Sequence, residues 1–143
     1  MNLSKYSLSH DAVLKSLQQG TFKEIEKLSS RKRLYKSSKG ILYIRTSKKF
    51  NFSHRNFWYS IKPDVVVDNN VDYIILIAGY EGFFMIPVNY FLDYRKKYHV
   101  GCVKGGGEHF SILEKNGRYF RKEAKNSEDD ITQYFYQPNC IVK

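Results

Sequence analysis

The sequence predicts a mixed α+β domain, on three observations. Apolar residues recur at helical spacing near the start of the chain and again around residue 90. Between residues 34 and 122 they come mostly in short runs of strand length. Turn-forming residues punctuate those runs. The expected architecture is an N-terminal helical pair and a largely antiparallel sheet of about five to seven strands, with one or two helices packed on it.

Ser9 is placed to cap a helix through Ala12, Val13, Leu14 and Leu17, with Gly20 as its stop. Thr21 and Glu24 form a capping-box pattern around Phe22, Ile25 and Leu28, which predicts a second short helix. Arg31, Lys32 and Arg33 would then fall at its C-terminal end, where the helix dipole favours cations. Leu34 to Lys36 and Ile41 to Thr46 flank a Ser-Ser-Lys-Gly turn and read as a hairpin. On its second strand Ile41, Tyr43 and Arg45 share one face, so Tyr43 and Arg45 are candidates for exposure. Lys48 to Asn56 reads as a polar, basic loop, and Phe57 to Ile61 as a strand that Lys62 and Pro63 end.

The centre of the fold is expected at Asp72 to Ala78 and Gly82 to Val88. Four successive apolar residues, Ile74 to Ile77, call for burial on both faces of a strand. Asn89 to Tyr98 reads as a short amphipathic helix carrying Tyr90, Phe91 and Tyr94. Phe110 to Leu113 and Arg118 to Lys122 frame Asn116-Gly117, the strongest short hairpin signal. Asp129 or Asp130 can cap a last turn containing Ile131 and Tyr134.

A length of 143 residues suits one domain with its own core. Within it residues 1–30 read as the helical pair, 31–56 as a basic hairpin and loop, and 57–143 as the sheet scaffold. The aromatic share of 16% argues against disorder. Two cysteines, Cys102 and Cys140, are too few for a disulfide framework. No apolar run reaches the length of a membrane span, and the first residues lack a signal-peptide core. A soluble cytoplasmic protein without a membrane partner is the expectation, and a homo-oligomer is compatible with it.

Charge is distributed unevenly. Residues 1–60 hold 13 basic and 3 acidic side chains, and residues 61–143 hold 11 of each, so the net +10 belongs to the first part of the chain. Between Glu26 and Asp64 there is no acidic residue, and Tyr35, Tyr43, Phe50, Phe52, Phe57, Trp58 and Tyr59 are interleaved with the cations. Such a stretch repels itself unless a polyanion neutralises it, and rings among cations are what bases stack on. The expected partner is nucleic acid, DNA first. The candidate contacts are Arg31, Lys32, Arg33, Lys36, Lys39, Tyr43, Arg45, Lys48, Lys49, His54, Arg55 and Trp58. Arg45 and Arg55 can make forked contacts to phosphate or guanine that lysine cannot. An acidic protein partner is the alternative reading of the same face.

Asp64, Glu123 and Lys125 are the candidate catalytic residues. A Pro-Asp followed by Glu-x-Lys can bind Mg²⁺ through its carboxylates while the lysine orients water. The alternative activity is therefore a Mg²⁺-dependent endonuclease of the restriction type; otherwise no cofactor is expected. Gly105 to Gly107 lack the Gly-Lys-Ser/Thr ending of a P-loop and read as a flexible loop. His99, Cys102, His109 and Cys140 match no common zinc spacing, so no metal site is assigned to them. Cys102 with His109 as nucleophile and base has no identifiable orienting partner.

Phe57-Trp58-Tyr59, then Asp72 to Ile77, then Phe84-Met85-Ile86-Pro87 resembles a pattern in bacterial restriction- and mobile-element-associated proteins. There an aromatic strand precedes two apolar strands ending in Ile-Pro. Asp130 to Tyr134 is similar to the tail of such domains. The resemblance implies a small DNA-recognition or nuclease-like domain in genome defence, such as restriction-modification, or in a mobile element.

Overall fold

The structure, a computed structural model, describes residues 9–20, 22, 24–29, 33–47, 49–51, 56–98, 106–123 and 128–137, with the side chains of 49–51 left aside. The chain is α+β, with two sheets rather than the single sheet expected. Helix α1 (His10–Gln18) leads into strands β1 (Glu26–Ser29), β2 (Leu34–Ser37), β3 (Gly40–Thr46), β4 (Lys49–Asn51) and β5 (Asn56–Ile61). Helix α2 (Pro63–Asp68) precedes β6 (Val71–Ala78) and β7 (Gly82–Pro87), and α3 (Val88–Lys97) follows them. Strands β8 (Glu108–Lys115), β9 (Arg118–Arg121), β10 (Asp129–Asp130) and β11 (Phe135–Tyr136) complete the fold, with a 3-10 turn at Thr132–Tyr134.

The first sheet has six strands in the order β1-β2-β3-β6-β7-β11, and the second five in the order β10-β9-β8-β5-β4. Among the described residues only β3 and β6 pair in parallel; the other described pairs are antiparallel. A parallel pair needs a crossover, and here β4, β5 and α2 make it. The chain thus leaves one sheet to build part of the other before returning.

Strand β6 explains why so long an apolar run was needed. Ile74 and Leu76 join Phe57, Tyr59, Phe110 and Ile112 in the core between the sheets. Ile75 and Ile77 join Val13, Leu17, Leu42 and Phe83 in a second core beneath α1. Both faces of the first sheet are therefore covered. The buried hydroxyl of Tyr59 donates to the carbonyl of Ile77 at 2.7 Å and ties the sheets together. Burial holds that phenol's pKa well above its usual value.

Helix α1 starts as its sequence dictates: the Ser9 hydroxyl accepts from the Ala12 N–H at 3.1 Å. The second helix expected from Thr21 and Glu24 is not formed. Glu24 sits at φ 59°, in the left-handed region, which ends any helical run there. Phe22 turns into the core beneath α1, and the chain continues as edge strand β1. Arg33 consequently lies between β1 and β2 at φ 58°, not on a helix end. Part of the expected loop at Lys48 to Asn56 is strand β4, and Pro63 opens helix α2 instead of merely ending a strand.

Candidate nucleic-acid interface

Strand alternation decides which of the aromatic–basic residues are available. Tyr43 is 1% exposed and belongs to the core between the sheets, which corrects its reading as a contact residue. The face it shares with Ile41 and Arg45 meets the second sheet. Arg45 is half-buried; its Nε donates to the Ser60 carbonyl at 3.0 Å, and its guanidinium lies 5.7 Å from the Tyr43 ring. Lys27, Arg33, Lys36, Lys39 and Lys62 are exposed. Arg33, Lys36 and Lys39 follow the length of β2, Lys27 lies on neighbouring β1, and Lys62 stands apart between β5 and α2.

The folded chain gathers several of these charges at one corner. His10, the first residue of α1, lies within hydrogen-bond distance of Thr46, Nε2 to Oγ1 3.2 Å. Its pKa is held below the ordinary histidine value by burial and then by Arg33, Arg45 and Lys27, with Asp11 opposing them. Three strands or turns thus direct positive charge at one imidazole. Arg33 also acts on Tyr35, although burial dominates there and raises that phenol.

The described ion pairs are Arg95–Glu108, Lys115–Glu128, Arg118–Asp130 and Arg121–Glu123. Every partner lies beyond residue 90. Glu108, Glu123, Glu128 and Asp130 are matched to cations of that same part, and the exposed cations of residues 27–62 enter none of these pairs.

Ser47 forms the corner where the chain passes from β3 towards β4. Its hydroxyl accepts from the Trp58 N–H at 3.0 Å and lies 3.2 Å from the Trp58 carbonyl, to which it can donate. Trp58 is half-buried on the side of β5 away from Phe57 and Tyr59. Its indole Nε1 donates to His109 Nδ1 at 2.7 Å, with ring centroids 4.9 Å apart.

The candidate catalytic residues occupy different surroundings. Asp64 is exposed in the first turn of α2. Glu123 is 3% exposed at its side chain, accepts from the Ser111 N–H, and faces Arg121 at 4.0 Å. Ser111 pairs with Trp58 across β8 and β5, so the end of β5 at Ile61 lies about 10 Å farther along before the chain enters α2. The register keeps the two carboxylates apart. No group of three His, Cys, Asp or Glu side chains among the described residues is placed to hold a metal ion. Arg31, Lys32, Lys48, His54, Arg55 and Lys125 lie outside the described residues, as does the side chain of Lys49.

A buried charged cluster beneath α3 was missed by sequence reasoning. Arg121 is 0% exposed, with its guanidinium carbon 3.7 Å from the Tyr94 ring centroid and 3.8 Å from that of Phe110. Its Nη2 donates to the His109 carbonyl at 3.3 Å, while Nε and Nη1 have no hydrogen-bond partner among the described residues. Beside it Arg95 Nε reaches both oxygens of Glu108, at 2.9 and 2.8 Å. Arg118 and Arg121 look alike in sequence. Only the alternation of β9, exposed then buried, separates a surface arginine from a core one.

The chain matches no protein-family model, no curated protein and no solved structure. No helix among the described residues is long and apolar enough to cross a membrane.

Proposed function

We propose that this protein is a nucleic-acid-binding domain, with DNA as the first candidate, acting in the cytoplasm in genome defence or a mobile element. The observation that carries the reading is the separation of charge. Glu108, Glu123, Glu128 and Asp130 pair with cations beyond position 90, whereas exposed Lys27, Arg33, Lys36, Lys39 and Lys62 enter none of the described ion pairs. Exposed cations on β1, along β2 and in the turns flanking it, with Arg45 and His10 at one end, present a positive field to a phosphate backbone. Contacts of this kind position a protein on nucleic acid without reading sequence.

The test is a binding titration over a range of salt. Affinity should fall linearly with log salt, with a slope of about −0.9 for each phosphate contact on duplex DNA. Reversing the charge of Lys27, Arg33, Lys36 and Lys39 together should abolish binding and leave the far-UV circular dichroism unchanged. A folded variant that binds with undiminished affinity overturns the reading.

A further inference from the structure

The outer edge of the first sheet is open on both faces. Glu26, Lys27 and Leu28 of β1 are all exposed, although successive strand residues point to opposite sides. Neither α1 on one side nor the second sheet on the other covers them.

The cations divide between those two faces. Lys27 pairs with Tyr35, which lies in the core beneath α1, so Lys27 is on the α1 side. The charge of Arg33 is felt by Tyr35 and His10, on that same side. Lys36 alternates with Tyr35 and shares the face of Leu34, towards the second sheet, with Glu26 opposite it on β1. Lys27, Arg33 and Lys36 enter none of the described ion pairs.

Resting on the nucleic-acid reading above, we infer that the β1–β2 ribbon inserts edge-on into the major groove of duplex DNA. A protein lying flat on a duplex meets phosphates with one face, and its cations gather there. A ribbon in a groove has a phosphate wall on either side and uses cations on both faces. The dimensions agree. A sheet with its side chains is about 10 Å thick, and its strands lie about 4.8 Å apart. The major groove of B-form DNA is about 12 Å wide and 8.5 Å deep, which admits a two-stranded ribbon.

Pairing with another strand, from a second copy or a peptide, is the competing use of a sheet edge. The register passes over Leu28 between Lys27 and Ser29, and a bulge with a lysine beside it discourages strand addition. The same bulge leaves Leu28 47% exposed at the leading edge, where an apolar side chain can meet thymine methyl groups. The major groove of duplex RNA is deep and narrow and closed to side chains, and a single strand has no groove. The occupant is therefore duplex DNA.

The wild-type protein is titrated at low salt with a labelled DNA duplex, the RNA duplex of matching sequence and one of the DNA strands. The DNA duplex should bind about tenfold tighter than either of the others. Dimethyl sulfate, which methylates guanine N7 in the major groove, is then applied to the saturated DNA complex, and the bound protein should protect that atom. Lys27→Gln with Arg33→Gln removes the cations of one face, and Lys36→Gln removes that of the other. Each variant should weaken duplex binding severalfold. Unprotected guanine N7 at saturation overturns the insertion, and that measurement needs no variant to fold. Equal affinity for the RNA duplex or the single strand overturns it too, as does undiminished duplex binding by either folded variant. In each of those cases the broader nucleic-acid reading stands. If the wild type binds none of the three probes, that reading itself fails.

Discussion

Arg121 and Glu123, two residues apart at the end of β9, face each other at 4.0 Å with side chains 0% and 3% exposed. Burial moves both groups towards their neutral forms, lowering the Arg121 pKa and raising that of Glu123, and their mutual attraction only partly opposes this. A pair in that condition contributes little net stability, yet each member depends on the other. Glu123→Gln alone, or Arg121→Met alone, should destabilise the fold by about 3 kcal/mol by leaving one charge buried and uncompensated. The double variant should come within about 1 kcal/mol of wild type, since methionine fills the slot between Tyr94 and Phe110 and glutamine still accepts from Ser111. Urea denaturation of the four proteins measures the cycle, and additive single effects would contradict it.

Asp130 lies on β10, the strand next to β9 in the same sheet, and behaves in the opposite way. Hydrogen bonds from Thr132, followed by Arg118, hold its pKa down to about 2. A depressed carboxylate adds stability above its unfolded pKa and loses it as pH falls through the folded value. Asp130→Asn should therefore be less stable than wild type at neutral pH, by under about 1 kcal/mol because the ion pair is exposed. The two proteins should converge near pH 2. Thermal melts over a pH series measure the gap, and a constant gap would place its origin elsewhere.

Local signals made most of the fold legible. The Ser9 cap, the Ile74–Ile77 run and the Asn116-Gly117 turn, both of whose residues take positive φ (54° and 80°), each act within a few residues. What stayed hidden depends on distant partners. Phe22, Ile25 and Leu28 suit a helix face, and only pairing with β2 makes the chain beyond Glu24 a strand. Tyr43 and Trp58 both alternate with apolar neighbours, and nothing local says that one faces the second sheet while the other faces away from both cores. The charge asymmetry was visible at once. Its convergence on His10 was not, because β1, β3 and the turn at Arg33 meet there only after the first sheet forms.

That convergence gives binding a pH dependence. With its pKa lowered by burial and by Arg33, Arg45 and Lys27, His10 is neutral at pH 7 in the free protein. The free protein should consequently lose stability as pH falls through the usual histidine value of about 6.5 towards the lower folded one. A phosphate at this corner favours the imidazolium, so affinity for nucleic acid should rise as pH falls below about 6.5. His10→Gln should bind as wild type does at pH 8 and lack the gain at low pH. Anisotropy titrations at several pH values decide it, and an equal gain in the variant would assign the proton to another group.

Gly40 closes the turn that carries Lys39, and its backbone conformation is tied to Asp72 on β6. It sits at φ 125°, and an added Cβ would run into the Asp72 carboxylate, which accepts from the Ile41 N–H at 2.8 Å. Gly40→Ala should cost about 1–3 kcal/mol, from backbone strain together with displacement of that carboxylate. In an Asp72→Ala background the collision is gone and only the strain remains, so the added cost should fall to about 1 kcal/mol. Because β2 and β3 are joined here, the strained turn should also shift Lys39 and weaken nucleic-acid binding severalfold. Equal destabilisation in the two backgrounds would show that Asp72 does not constrain the turn.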